Sequence, residues 1–414
     1  NGGPTMTHAI GTDSPAFDAI ACSVVAGVFD QRGVSRPQGA GCDIGAFELE
    51  VAPGDVTAPV TTVAVAPVPN SAGWVTEPAT VALTATDDGQ LQQVCYDATG
   101  STTMSECVDG ASAVVSLADE GETNLAYYAV DAAGNTEAAR QTTIGVDLTD
   151  PTVEAGFSPG PNEAGWNRAG TILSLSASDG APGSGVDQTC FQATGAHEIP
   201  ETCVDGSVVE RAFVENGVTT VTWWAVDVAG RESEPESHDV KIDRDNPVVT
   251  SGPTPSIDVG SRGKYSDVVP VRITWVSTDA DGSGVDMHAL QYTTDGGASW
   301  RGVATDPDPT VTTVMTNLFP GLTYQFRAAA RDASGRWGAY TAGPAFQVTL
   351  VEGDPSADVV YSGSWGDLRL WGSYGGMTRW SVELDATVTY SFTGKEVAWV
   401  SSYGRSRGIA EVYL

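Results

Sequence analysis

Hydrophobic and polar residues alternate in short runs along most of the chain. The clearest runs are TVALTAT, LAYYAVD, TILSLSAS, TVTWWAVD, VRITWVST and YQFRAAARD. These runs are rich in Val, Thr, Tyr and Trp, and clusters of Gly, Asp, Asn and Pro separate them. A period of two residues with β-branched and aromatic side chains is typical of half-buried β-strands. The pattern therefore predicts an all-β chain.

The strand pattern repeats along the chain. Trp74 and Trp166 lie 92 residues apart in matching contexts, and Asp131 and Asp227 lie 96 residues apart. A third, more divergent copy contains FRAAARDASGRWG, in which Asp332 follows Asp227 by 105 residues. About 95 residues with some seven strands is the size of an immunoglobulin-like sandwich. Proline at the joints TDPTVEA and RDNPVVT favours an extended entry into the next module, so we expect three tandem sandwiches forming a rod.

The chain is strongly acidic, with 53 Asp and Glu against 20 Lys and Arg and a net charge of −33. Nucleic acids and anionic bilayers require clustered positive charge, so we exclude nucleic acid as a partner. The hydrophobic share of 41% is too high for a disordered acidic tail. No stretch reaches the roughly 18 apolar residues of a membrane helix, so we expect no membrane insertion. Because the chain begins at Asn1 without a signal peptide, we expect it to belong to a longer protein.

The six cysteines fall into three local pairs, and the third copy has none. The pairs are Cys22 with Cys42, Cys95 with Cys107, and Cys190 with Cys203. No pair has the CxxC spacing of a zinc site, whereas closing a loop of about 13 residues stabilises a fold by roughly 3 kcal/mol. Disulfides are therefore the better interpretation, and they predict an extracellular or cell-surface location.

The segment GGPTMTHAI…DQRGVSRPQGAGCDIGAFE, within residues 1–49, resembles the C-terminal end of a choice-of-anchor Q type right-handed parallel β-helix. DGSGV and AVDAAGN resemble bacterial Ig-like surface modules, and LQYTTDGGASW with LFPGLTYQFRAAARDASG resembles a fibronectin type III domain. The segment VTYSFTGKEVAWVSSYGRSRGIAEVYL is similar to part of a jelly-roll, carbohydrate-binding-like module. These resemblances imply secreted or surface-anchored bacterial proteins.

Repeats and resemblances together predict five segments. They are 1–53 (end of a parallel β-helix), 54–147 (Ig-like domain 1), 148–243 (Ig-like domain 2), 244–350 (Ig-like or fibronectin III-like domain 3) and 351–414 (partial jelly roll).

Calcium is the one cofactor that the residues suggest. Asp279, Asp281 and Ser283, followed by Gly284, place oxygen ligands on alternate positions of a turn, although position twelve is Leu290 rather than the Glu of an EF-hand. A solvated turn in which Asp and Ser cap backbone groups explains the same residues.

A second candidate calcium site lies at the module joints. The acids concerned are Asp147, Asp150, Asp243 and Asp245, which we expect near the Asp-x-Ala-Gly turns at Asp131 and Asp227. Clustered carboxylates repel one another, and a divalent ion there would stiffen the rod. Plain surface acidity is the alternative.

Aromatic side chains of the last segment are candidates for binding sugars. They are Trp365, Trp371, Tyr374 and Trp380. Flat rings stack on the apolar faces of pyranoses, but core packing explains most tryptophans in β-sandwiches, so both interpretations stay open.

The sequence favours a non-catalytic spacer and adhesion rod that displays a β-helix to glycans or host surfaces. GRSRG lies between strand-like runs, and the histidines are scattered, so neither supports a hydrolase site. The alternative is an accessory region of a secreted β-helix polysaccharide lyase or hydrolase, with its catalytic site upstream of residue 1. A third option is a self-associating surface-layer component.

Overall fold

The computed structural model describes residues 6–22, 29–50, 54–258, 268–280, 282–351, 358–369 and 377–399. Within these ranges every named element is a β-strand, so the predicted all-β fold is confirmed. None of the described residues forms a helix long and apolar enough to cross a bilayer.

The chain divides into two compact units. The first unit comprises 1–149, 180–185 and 228–231, and the second comprises 150–179, 186–227 and 232–414.

The first repeat is a two-sheet sandwich within the first unit. Its strands are β1 (Val60–Ala66), β2 (Trp74–Val75), β3 (Ala79–Thr86), β4 (Leu91–Gly100), β5 (Met104–Asp109), β6 (Ser112–Leu117), β7 (Gly121–Asp131) and β8 (Arg140–Val146). One sheet has the order β1-β3-β6 and the other β2-β8-β7-β4-β5. Leu83 from one sheet packs in the same buried cluster as Leu125 and Ile144 from the other, so the core lies between the sheets.

The second repeat has the same plan within the second unit. Its strands are β9 (Thr152–Ser158), β10 (Thr171–Ser178), β11 (Val186–Gly195), β12 (Ile199–Asp205), β13 (Val208–Phe213), β14 (Gly217–Asp227) and β15 (Glu236–Ile242). The sheets have the orders β13-β10-β9 and β12-β11-β14-β15. Trp223 and Trp224 are adjacent on β14 and point to opposite faces, and Trp223 is the one buried in the core.

The third repeat also lies in the second unit. Its strands are β16 (Val248–Ile257), β17 (Val269–Thr278), β18 (Val285–Thr293), β19 (Arg301–Val303), β20 (Thr313–Leu318), β21 (Thr323–Asp332), β22 (Thr341–Ala342) and β23 (Phe346–Gln347). The sheets have the orders β16-β17-β20 and β19-β18-β21-β22, and β23 also pairs with β21. Ile273, Trp275 and Phe326 fill the core between them. Three sandwiches of the Ig-like or fibronectin III-like class therefore follow one another along the chain.

The six cysteines form three disulfides, in the pairs expected from the sequence. Cys95–Cys107 joins β4 to β5, and Cys190–Cys203 joins β11 to β12 at directly opposed positions. Each of these bonds therefore reinforces the outer edge of one sandwich.

Two smaller regions flank the repeats. After residue 357 the strands are β24 (Val359–Ser362), β25 (Gly366–Arg369), β26 (Met377–Trp380) and β27 (Thr387–Tyr390), which form the pairs β24-β27 and β25-β26. The described residues before 51 contain only isolated bridges, Ile20 with Cys42 and Phe29 with Ser35. The β-helix end and the jelly roll stay predictions.

A buried polar network connects residues of the DQRG, RP and CDIGAFE motifs near the start of the chain. Asp30 accepts hydrogen bonds from the backbone N–H groups of Arg32, Val34 and Glu48. The Glu48 carboxylate accepts from Asp43 N, at 2.9 Å, and pairs with Arg36. The motif residues therefore hold one another in place.

Candidate functional site

Three aspartates in the second unit bring their carboxylates together at one end of the third repeat. Asp243 directly follows β15, Asp279 directly follows β17, and Asp332 is the last residue of β21. One carboxylate oxygen of each lies within 4.8 Å of the corresponding oxygens of the other two. Asp243 and Asp332 are fully buried and Asp279 is half-buried. Three chain segments that are distant in sequence thus converge on one acidic cluster, which we call the third-repeat trio.

A tight turn holds Asp332 in this position. Asp332 N donates to Arg336 O, and Gly335 N donates back to Asp332 O, both at 3.0 Å. Gly335 has a φ of 90°, which glycine adopts without the strain that a side chain would add. The glycine of the repeated Asp-x-x-Gly motif is therefore required by the turn that presents the aspartate.

Backbone N–H groups and serine hydroxyls donate hydrogen bonds to some of the carboxylate oxygens of the trio. Asp243 Oδ2 accepts from Ser283 N (2.8 Å) and Ser283 Oγ (2.6 Å), and Asp279 Oδ2 accepts from Gly284 N (2.7 Å). Asp332 Oδ1 accepts from Ser334 Oγ (2.7 Å) and Arg336 N (2.8 Å). Asp332 Oδ2, by contrast, is buried and has no hydrogen-bond partner among the residues that the structure describes.

The negative charges of the trio are not balanced by a basic side chain. Among the salt bridges of the described residues, none involves Asp243, Asp279 or Asp332. Burial raises the pKa of the Asp279 carboxyl, and the Gly284 N–H works in the opposite direction. The charges of Asp243 and Asp332 raise that pKa as well, so the net shift is upward.

The first unit contains a similar cluster, formed by Asp55, Asp87 and Asp131. Here the Asn135 side-chain amide donates to Asp131 Oδ2 at 2.7 Å, and Asn135 N donates to Oδ1 at 2.8 Å. Burial alone would raise the pKa of Asp131, but these donors lower it. Arg336 takes the place of Asn135 in the third repeat and does not supply this amide. The two clusters therefore differ in how their most buried carboxylate is satisfied.

The structure joins parts of the two calcium hypotheses. Asp279 belonged to the loop hypothesis and Asp243 to the joint hypothesis, yet they lie in one cluster. The acid before a repeat faces the turn of that repeat: Asp55 lies beside Asp131, and Asp243 beside Asp332. Asp332 was not among the predicted ligands, although the sequence already places it in the repeat register of Asp131 and Asp227.

The other candidate metal ligands have different surroundings. Ser283 donates to Asp243, and Asp245 accepts from Asn216 Nδ2 at 2.6 Å on the surface. Asp147 is buried and accepts from Ser184 N at 2.7 Å within the first unit, whereas Asp150 is exposed in the second unit. Asp281 lies outside the described residues.

Hydrogen bonds connect the link between the second and third repeats, residues 243–247, to both repeats. Asn162 Nδ2 donates to Ala333 O at 2.8 Å, and Arg336 Nη2 donates to Arg168 O at 2.6 Å. Arg244 Nη1 in the link donates to Val214 O at 2.9 Å. Together with the bonds from Ser283 to Asp243, these contacts connect the second repeat, the link and the third repeat.

The first unit contains the same type of contact. Asn70 Nδ2 donates to Val228 O at 2.8 Å, and Arg231 Nη1 donates to Thr76 O at 3.1 Å. Asn70 and Asn162 both begin an Asn-x-Ala-Gly-Trp segment, and Arg231 and Arg336 both follow the glycine of an Asp-x-x-Gly turn. The contact is therefore encoded by two motifs that recur in the sequence.

The candidate sugar-binding aromatics are only partly described. Trp365 donates through Nε1 to Ser362 O at 3.0 Å and packs edge-on against Tyr361. Trp380, at the end of β26, is 45% exposed. Trp371 and Tyr374 lie outside the described residues.

Comparison with known proteins gives likenesses of fold. The chain matches no protein-family model and no curated protein. A solved structure of a 1.5-MDa bacterial ice-binding adhesin is 14% identical, with a TM-score of 0.32, over 71% of this chain and 98% of the other. Titin domains A168–A170 are 16% identical, with a TM-score of 0.30, over 71% and 99%. Fibronectin(III)-like modules of Clostridium thermocellum CbhA are 21% identical, with a TM-score of 0.24, over 44% and 95%. The fold assignment stands on the sheets described above.

Proposed function

We propose that this chain is a non-catalytic, extracellular or cell-surface spacer whose second and third repeats are joined at a fixed angle. The observation that supports the proposal is the bonded link between the second and third repeats. Five residues, 243–247, separate β15 from β16. A link this short leaves little freedom, and the side chains around it remove more.

The link is attached to both of its neighbours. Arg244 N donates to Asn216 Oδ1 at 3.1 Å, and Asn216 Nδ2 donates to Asp245, so this part of the link is attached to the second repeat. Asp243 accepts from Ser283, which belongs to the third repeat. Net hydrogen-bond contributions of about 1 kcal/mol each accumulate when several act on one short segment. A fixed joint of this kind suits a protein that holds other parts at a set distance.

Two further features support an extracellular location. Disulfides persist in oxidising compartments, and the chain has three. A net charge of −33 keeps an exposed surface soluble. Binding of glycans or host surface components, through Trp365 and Trp380 among others, stays a prediction.

Spin-label distance measurements on the full chain test the proposal. Labels at Ser176→Cys on β10 and Met315→Cys on β20 report on the second and third repeats, and no native cysteine is free to react. We expect one narrow distance distribution, which broadens in the double variant Asn162→Asp with Arg336→Ala. The control Arg301→Ala removes an exposed arginine from β19 and should change nothing. A broad distribution in the unaltered chain would refute the proposal.

A further inference from the structure

We propose that the third-repeat trio, Asp243, Asp279 and Asp332, is a binding site for a divalent cation, of which calcium fits best. The inference deepens the proposed spacer function, because a cation held by the link and the third repeat would stiffen the joint between the second and third repeats. This stiffening rests on the proposed function. The site takes one ligand from the link and two from the ends of strands in the third repeat.

An unsatisfied buried oxygen points to a ligand independently of the clustering. Asp332 is fully buried, and within the described part of the chain its Oδ2 atom has no hydrogen-bond donor. Leaving a buried carboxylate oxygen without a donor or a counter-charge is costly, and native structures rarely do so without a reason. A cation within reach of all three carboxylates would satisfy this oxygen and remove the repulsion among them.

The existing hydrogen bonds leave room for a cation. Asp279 Oδ2 accepts from Gly284 N, and no described residue donates a hydrogen bond to its Oδ1 atom. Asp243 accepts on both oxygens, from Asp245 N and from Ser283, but each carboxylate oxygen has a second lone pair. The donors therefore orient the carboxylates without occupying all of their acceptor sites.

The donor set favours calcium over softer metals. All three side chains offer oxygen, whereas zinc and copper sites are rich in histidine and cysteine. Calcium takes six to eight oxygen ligands in a flexible geometry, so water and backbone carbonyl groups would complete its shell. Magnesium requires near-ideal octahedral geometry and is the weaker candidate.

In the first-unit cluster of Asp55, Asp87 and Asp131, a side-chain amide rather than a cation can satisfy the most buried carboxylate. There the Asn135 amide lies on Asp131 Oδ2, the oxygen that corresponds to the unsatisfied Oδ2 of Asp332. We confine the inference to the third-repeat trio, because of these two clusters it is the one with a fully buried side chain whose oxygen lacks a donor among the described residues.

Calorimetric titration of the chelator-treated full chain with calcium chloride tests the site. We expect the Asp332→Asn variant to bind one calcium ion fewer per chain than the unaltered chain. Asp306→Asn removes the same charge from the exposed surface of the same repeat and should retain full binding. Asp279→Asn is a second variant whose side chain has one backbone partner, and it should also lose one equivalent. Near-ultraviolet circular dichroism checks that each variant is folded.

The outcomes separate this inference from the proposed function. Equal calcium stoichiometry in folded Asp279→Asn and unaltered chains would overturn the cation site, and so would the absence of any binding. A narrow spin-label distribution without calcium binding would leave the spacer function standing. Calcium binding with a broad distribution in the unaltered chain would support the site and refute the fixed joint.

Discussion

Asn162 donates a hydrogen bond through its side-chain amide to the backbone carbonyl oxygen of Ala333, 171 residues further along the chain. The same side chain accepts from Ala164 N and Trp166 N through Oδ1, both at 3.0 Å. One asparagine therefore shapes its own turn with its oxygen and contacts the third repeat with its nitrogen.

Replacing Asn162 by aspartate separates these two roles. Aspartate keeps the acceptor for Ala164 and Trp166 but loses the donor to Ala333. We expect faster hydrogen exchange around the 333–336 turn, with the 162–166 turn unchanged, because the loss is about 1 kcal/mol at the joint alone. Asn162→Ala removes both roles and should accelerate exchange in both turns. Protection unchanged at 333–336 in the aspartate variant would contradict this role.

The disulfides should stabilise the first two repeats and leave the third unaffected. Replacing Cys190 and Cys203 by alanine opens a loop with a sequence separation of 13 residues, for which we expect a loss of about 3 kcal/mol. Hydrogen exchange of strand peptides, read with and without reducing agent, measures each repeat separately. Equal losses of protection in all three repeats would contradict the assignment.

The third repeat retains the geometry of the missing disulfide. Ala289 lies four residues after Val285 on β18, as Cys190 lies four residues after Val186 on β11, and both strands shift register at the same place. The β18–β19 register, with Leu290 opposite Val303, places Ala304 opposite Ala289. We expect Ala289→Cys with Ala304→Cys to form a disulfide and to stabilise the repeat by up to about 3 kcal/mol. The offset pair Ala289→Cys with Gly302→Cys should stay reduced, which mass spectrometry can measure.

An arginine is stacked between two aromatic rings on the outer face of the third repeat. The Arg327 guanidinium carbon lies 4.0 Å from the Trp300 ring centroid and 4.4 Å from that of Tyr340. Nε and Nη2 also donate to Gln291 Oε1, at 2.9 and 2.7 Å. Arg327→Lys keeps the charge but loses the planar stack, so we expect a loss of about 1 to 2 kcal/mol. Arg301→Lys is the control, and an equal effect of both changes on thermal unfolding would contradict the stacking role.

Stability of the third repeat should fall in mildly acidic solution because of His288. Burial lowers the pKa of His288, whose ring contacts Ser277 Oγ at 2.7 Å and packs edge-on against Trp275. As the pH falls, His288 becomes protonated in the unfolded chain at a higher pH than in the folded chain. The stability that neutral, buried His288 contributes to the fold is therefore complete above about pH 6.5 and is lost as the pH falls towards the lower pKa of the folded state. We expect His288→Gln to reduce this pH dependence and His238→Gln, on β15, to retain it. Exchange of β17 and β18 peptides at two pH values, corrected for intrinsic rates, measures the effect.

The alternation of apolar and polar residues predicted the strands, and the length of the repeats then predicted the sandwiches. On β3 and β10, for example, every second side chain is buried, because each strand has one face on the core. Two of the cysteine pairs could be predicted for a similar reason, since Cys95 and Cys107, like Cys190 and Cys203, lie on neighbouring strands of one hairpin.

The acidic trio could be predicted only in part. Asp243 and Asp279 stand in conspicuous acidic segments, but Asp332 ends a strand whose sequence mainly reports core packing. Its proximity to Asp243 depends on which end of the third sandwich the link enters, which is a property of the tertiary fold. The contact of Asn162 with Ala333 was equally inaccessible, because nothing local in Asn-x-Ala-Gly-Trp indicates its partner.

Residual dipolar couplings of the aligned full chain test the central claim, a fixed joint between the second and third repeats, most directly. Couplings from β10, β11 and β14 give one alignment tensor, and couplings from β17, β18 and β21 give another. The account predicts that the two tensors agree in magnitude and orientation when referred to this structure. Tensors of clearly different magnitude would show that the repeats reorient independently, and the fixed joint would be wrong.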